Sequence, residues 1–129
     1  MSKSIMDLLK PEVVHLKDGR AELHYEVRPE FTIPGDVVQG GIVAAMLDQT
    51  MAFAAKGALS TASLNIDIMR PVKGPTLRVS GGVTRKGRRI IFAEAEVRNA
   101  DDEIVARGTQ TAVPVELDFT FGDEIDGAS

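Results

Sequence analysis

The sequence predicts an α+β domain in which an antiparallel sheet wraps one long central helix. Three observations predict it. Residues Gln39 to Lys56, QGGIVAAMLDQTMAFAAK, read as a helix that is apolar nearly all round, with Asp48 its only charge between Gly40 and Ala55. A helix of that kind is covered on most sides rather than along one stripe. The segments around it alternate apolar and polar residues with the period of half-buried strands. Their order is a strand pair, the helix, then four strands. A helix lying on one open sheet face would keep a polar side, so the sheet must curl about it.

Each element has its own signal. Ser4 to Lys10 is predicted as a short helix, because Ser4 with Asp7 three residues on forms a capping box and Pro11 ends it. Val13 to Leu16 and Arg20 to Arg28 flank Asp18-Gly19, a strong hairpin signal. In the second of these strands Ala21, Leu23, Tyr25 and Val27 share one face, and His24 falls on the solvent side. Pro29 to Val38 is predicted as a loop turning at Pro34-Gly35. Gly57 closes the central helix. Leu59 to Met69 is the next strand, with Ala62, Leu64, Ile66 and Ile68 on one face and Thr61, Ser63, Asn65 and Asp67 on the other. Leu77 to Arg85 and Ile90 to Arg98 form a hairpin around Lys86-Gly87, and Ile104 to Val113 is the last strand before Pro114. Met46, Met51, Phe53 and Met69 are expected in the core.

Residues 1–114 thus make one domain, a size that supports a real core. Residues 115–129 read as a mobile acidic appendage with Leu117, Phe119 and Phe121 as its docking candidates. That tail holds five acidic residues and no base, so the rest of the chain carries +1 of the net −4. An acidic chain is a poor general nucleic-acid binder. With no cysteine there is no disulfide, thiolate metal site or cysteine nucleophile. Two histidines, His15 and His24, leave little for a metal site, so neither metal nor cofactor is expected. No apolar run approaches the roughly 18 residues of a membrane span, and the N-terminus lacks a signal peptide's apolar core. The expected location is the cytoplasm, with no membrane partner.

The chemistry centres on the helix. An ionised carboxylate among apolar residues is costly unless paired, hydrogen-bonded or near water, which singles out Asp48. Gly40-Gly41 sits at the helix start, where unpartnered N–H groups and the positive dipole end suit an oxyanion or a polarised carbonyl.

These residues resemble a known family. The chain looks like a hotdog-fold acyl-CoA thioesterase of the phenylacetic-acid-degradation (PaaI-like) group. Three pieces carry the likeness: Gln39-Gly40-Gly41 followed by Leu47-Asp48; Thr61 to Pro71, TASLNIDIMRP; and the next two strands with their turn Lys86-Gly87-Arg88. The resemblance implies a sheet around the helix, and a homodimer or homotetramer with active sites between subunits. It implies that Asp48 is the catalytic carboxylate, as general base or nucleophile, and that the Gly41 N–H polarises the thioester carbonyl. Thr61 would reach the site from the partner subunit. Two positions depart from the pattern. Gln39 stands where the family usually has His, and Ile33 where many members have Asn or Gln. Gln39 donates through its amide but carries no proton, and Ile33 does neither. Losing one oxyanion donor costs about 10²–10³ in rate in a well-studied case.

Arg85, Lys86, Arg88 and Arg89 crowd the second hairpin tip. A charge run there is most often simply solvated. Beside a thioesterase motif, the four, with Arg70, are expected on the phosphates of coenzyme A. The expected function is hydrolysis of an acyl-CoA. The alternative is a non-catalytic acyl-CoA-binding module acting as sensor or scaffold, and a third reading is a purely structural dimer.

Overall fold

Because each strand alternates and each hairpin turn is short, neighbouring strands pair antiparallel, and the order is the one the sequence predicts. The computed structural model describes residues 4–57, 59–115 and 124–127. A short helix α1 (Ile5–Leu9) precedes the hairpin β1 (Glu12–Lys17) and β2 (Arg20–Glu26). The central helix α2 (Gly40–Ala54) follows, then β5 (Leu59–Ile68), β6 (Thr76–Lys86), β7 (Ile91–Arg98) and β8 (Ile104–Pro114). The loop between β2 and α2 is more ordered than the sequence suggests. It holds a 3₁₀ turn at Pro29–Phe31 and a two-residue hairpin, β3 (Thr32–Ile33) with β4 (Val37–Val38). Backbone bonds from Val38 N to Val72 O and from Gln39 N to Phe31 O, both 2.8 Å, tie that loop down. They fix where α2 begins.

Local signals account for the turns and caps. Ser4 and Asp7 bond reciprocally as a capping box. Asp18 and Gly19 both have positive φ, 54° and 74°, as a two-residue hairpin turn of the primed type requires. Lys56 and Gly57 take positive φ after α2, and Gly57 N donates to Ala52 O.

The six long strands form one antiparallel sheet in the order β1-β2-β6-β7-β8-β5. The register lays a row of small residues across its inner face: Ala21 opposite Gly81, Gly81 opposite Ala95, and Ala95 opposite Gly108. Helix α2 lies in this trough, its Val43, Met46, Leu47 and Met51 wholly buried. A Cβ on Gly108 would stand 2.8 Å from Ile66 Cδ1 and 3.4 Å from Leu47 Cδ1, so helix and sheet touch there.

The helix is covered on most sides, as its sequence implies. One sheet reaches only so far about it. Ala44, Ala45, Asp48, Ala52 and Ala55 remain half-buried along one stripe, and Gly41 is exposed. Met69 is not core: it is 49% exposed beyond the end of β5, beside an equally uncovered Ile68. The described end of the acidic tail is also no free appendage. Ile125 pairs with Leu16 on the β1 edge through two backbone bonds, and Lys17 meets Asp126 at 3.1 Å. His15, which no sequence signal places, accepts from Gly127 N there. Leu117, Phe119 and Phe121 lie outside the described residues. His24 is half-buried and bonds Glu22 at 2.7 Å.

The trough gives a stability prediction. A Cβ on Gly81 would meet the Glu94 carbonyl oxygen at 2.7 Å and Ala95 Cβ at 2.8 Å, and backbone cannot swing aside. Gly81→Val should lower unfolding free energy by about 1–3 kcal/mol, as overpacking does. Gly108→Ala should cost less, since its nearest atom is the flexible tip of Ile66. Urea unfolding of both variants checks the order.

Candidate active site

Asp48 leaves α2 on the half-covered stripe and turns toward β5 and β8. Its Oδ1 accepts two hydrogen bonds, from Thr61 Oγ1 at 3.1 Å and from Gln110 Nε2 at 3.0 Å. Thr61 Oγ1 also lies 3.1 Å from Gln110 Oε1, so the three side chains close a triangle. A hydroxyl has one proton, so Thr61 donates to one of these oxygens at a time. Among the described residues Asp48 Oδ2 has no hydrogen-bond partner.

The position of Thr61 corrects an expectation. Simple alternation puts it opposite Leu64, pointing away toward a partner. The register of β5 on β8 shifts between Thr61 and Ser63, a bulge at Ala62. One extra residue inverts the alternation, so Thr61 joins the helix side and meets Asp48 of its own chain. Gln110 was not singled out from the sequence. Its only signal is a polar residue at an inward position of β8, since Gly108 and Ala112 on either side face the core.

The helix start is built as its sequence suggests. Ile42 N and Val43 N both reach Gln39 O, which leaves the Gly40 and Gly41 N–H groups without helical acceptors. Gln39 folds over this end: its Oε1 accepts from Ile42 N at 3.1 Å, and a Cβ on Gly41 would stand 2.8 Å from that oxygen. The side chain thus caps the helix with its oxygen and leaves its amide N–H₂ available at the mouth of the start. Ile33 is 48% exposed.

The four bases of the β6–β7 tip divide between two depressions. One, of about 770 Å³, is lined by Arg85, Arg88, Arg89, Ile90 and Phe92. The other, of about 540 Å³, lies between Lys56 at the end of α2 and Arg85 and Lys86. Arg70 does not join them within the chain. It lies past the opposite end of β5 and bonds Glu103 at 2.6 Å. Among the described residues no group of three His, Asp or Glu side chains is set to hold a metal ion, and no helix is long and apolar enough to cross a membrane.

A model of the thioesterase superfamily matches residues 35–106, which span the whole of α2, β5, β6 and β7. The chain belongs to the thioesterase superfamily. A candidate esterase of Saccharolobus solfataricus is 35% identical over 109 residues, 80% of this chain and 77% of the relative. Among solved structures, a candidate thioesterase of Ralstonia eutropha related to phenylacetic acid degradation is 27% identical with a TM-score of 0.78, covering 88% of this chain and 91% of the other. The PaaI protein of E. coli, from its phenylacetic acid degradation operon, shares the fold at 18% identity and a TM-score of 0.81, covering 89% of this chain and 86% of its own. The fold is the hotdog fold that the superfamily's PaaI-like members share.

Behind the superfamily's helix, away from Asp48, Tyr25 anchors α2. Its buried hydroxyl donates to Gln49 Oε1 at 2.6 Å. Burial holds the phenol neutral and pushes its pKa well above the usual 10.0. Ionisation therefore favours the unfolded chain: the stability from this burial is intact below about pH 10 and lost as the pH climbs past it. Tyr25 is the sole tyrosine. In an alkaline titration, tyrosinate absorbance should rise together with the loss of helical circular dichroism, not before it.

Proposed function

We propose that this protein hydrolyses acyl-coenzyme A thioesters, and that it does so as at least a homodimer. The observation that carries the reading is Asp48: a carboxylate on the half-covered stripe of a buried helix, bonded at Oδ1 and unbonded at Oδ2 among the described residues. Such a group can take a proton from water or attack a carbonyl directly to form an anhydride. Both routes use the same free oxygen.

The other half of the chemistry comes from a second copy. Gly41 and Asp48 are seven residues apart on one helix, about 10 Å along its axis. A thioester carbonyl and its attacking group must meet at about 3–3.5 Å, so one chain cannot supply both. The exposed edge of β5 offers the junction. Pairing β5 antiparallel with its own copy, about an axis near Leu64 and Asn65, sets Ile68 beside Thr61 of the partner subunit. Gly40 lies against Ile68, since a Cβ there would stand 3.5 Å from Ile68 Cδ1. The helix start of one protomer then faces Asp48 of the partner subunit. In this assembly the Gly41 N–H polarises the carbonyl, the free amide N–H₂ of Gln39 adds a donor, and Asp48 with Thr61 delivers the attack.

Coenzyme A is a polyanion, and the basic tip supplies its partner. Arg85, Lys86, Arg88 and Arg89 take the phosphates, with the exposed face of Phe92 beside them for the adenine. Ala93 pairs in register with Gln110, so Ile91, where β7 leaves the basic tip, stands about 7 Å along the strand from the carboxylate's anchor. The same two-fold pairing carries Arg70 of the partner subunit to this end.

One observation favours a binding module instead: Gln39 lacks the proton of the family's histidine, and its oxygen is spent on the cap. Thiol release from a panel of short, long and aromatic acyl-CoAs separates the two. Turnover that Asp48→Asn reduces by about 10³-fold or more supports hydrolysis. Turnover unchanged in Asp48→Asn overturns its role, and binding without thiol release establishes the module. Replacing Arg88 and Arg89 with Ala should raise KM for acyl-CoA with little effect on the matching N-acetylcysteamine thioester. An equal rise for both would remove the tip from recognition.

A further inference from the structure

The residue beside Asp48 that neither the family motif nor the sequence pattern marks is Gln110. It sits on the inner face of β8, between Ala93 on β7 and Leu64 on β5. It is 2% exposed. A buried amide among apolar neighbours is costly unless its hydrogen bonds are made. Both ends are bonded here, Nε2 to Asp48 Oδ1 at 3.0 Å and Oε1 from Thr61 Oγ1 at 3.1 Å. The amide's orientation follows from chemistry. An ionised carboxylate only accepts, so the nitrogen must face Asp48. Thr61 has one proton for two acceptors, whereas Gln110 has a donor that nothing else among the described residues claims.

We propose that Gln110 is the positioning residue of this site. It clamps Asp48 by Oδ1 and thereby assigns Oδ2 as the oxygen that removes water's proton or attacks the thioester. The clamp joins three rigid elements, α2, β5 and β8, so the carboxylate is held without help from any loop. Without it Asp48 keeps only the rotatable hydroxyl of Thr61, and the carboxylate turns about its Cβ–Cγ bond. This rests on the thioesterase reading for its consequence, though not for its geometry.

Gln110→Met keeps the volume and removes the amide. It should lower kcat by about 10²-fold, the scale of a 1 Å misplacement, with KM unchanged. If Gln110 acts through Asp48, Gln110→Met added to Asp48→Asn costs nothing further. Additive losses, or a change in KM alone, overturn the proposal. Gln110→Glu keeps the shape and sets an acceptor where the donor stood. Two facing carboxylates must share a proton. Its activity relative to the native protein should therefore rise as the pH falls, and a flat ratio counts against the clamp. Crystal structures of Gln110→Met and the native protein supply a readout free of activity. A rotated Asp48 carboxylate is expected; an unmoved one overturns positioning whatever the kinetics. Absence of thiol release from the native protein, with the rotation present, sinks only the hydrolase reading.

Discussion

The close approach of α2 to the sheet is the constraint on which the rest depends. Helix and sheet touch because the trough between them is lined with glycine and alanine: Ala21, Gly81, Ala95 and Gly108. Small residues let the strands curl around the helix and bring Leu47 against Gly108. Interiors packed at crystal density transmit such distances faithfully. Were the helix lifted by one methyl layer, Asp48 would part from Gln110, and the triangle with Thr61 would open. The site's geometry is therefore set by residues that carry no polar group at all.

The same packing explains why a carboxylate tolerates this helix. The sheet covers one side, and the other shows mostly alanines with Gly40, Gly41, Ile42 and Asp48. Asp48 is thus neither a buried unpaired charge nor a solvated one. Gln110, and Thr61 when its proton turns that way, compensate one oxygen, and the second has no partner among the described residues. A polar group is held in readiness where desolvation would be completed by whatever covers the stripe.

Most of the architecture was legible in the sequence because it is written in periodicity and turn chemistry. Asp18-Gly19, Gly57 and the capping box at Ser4 act within a few residues of themselves, and each is where it was expected. The helix motif Gln39-Gly40-Gly41 with Asp48 was legible for the same reason. What escaped depends on contacts distant in the chain. The bulge at Ala62 turns Thr61 inward, yet nothing in TASLNIDI breaks the alternation. Gln110 lies 62 positions from Asp48, and its meaning appears only once β8 is registered beside β5. The tail's hold on β1 is a single bridge, too short for any pattern. Arg70 was grouped with the basic tip by charge alone, and within one chain the sheet separates them by its whole length.

That tail contact has a consequence for growth. A sheet with two bare edges can add copies at both and extend without limit, the route to fibres. Here the β1 edge carries the protein's own Ile125, with Lys17 and Asp126 drawn together beside it. The bridge at Leu16 thus withdraws part of the β1 edge from strand addition, while the β5 edge carries no such bridge among the described residues.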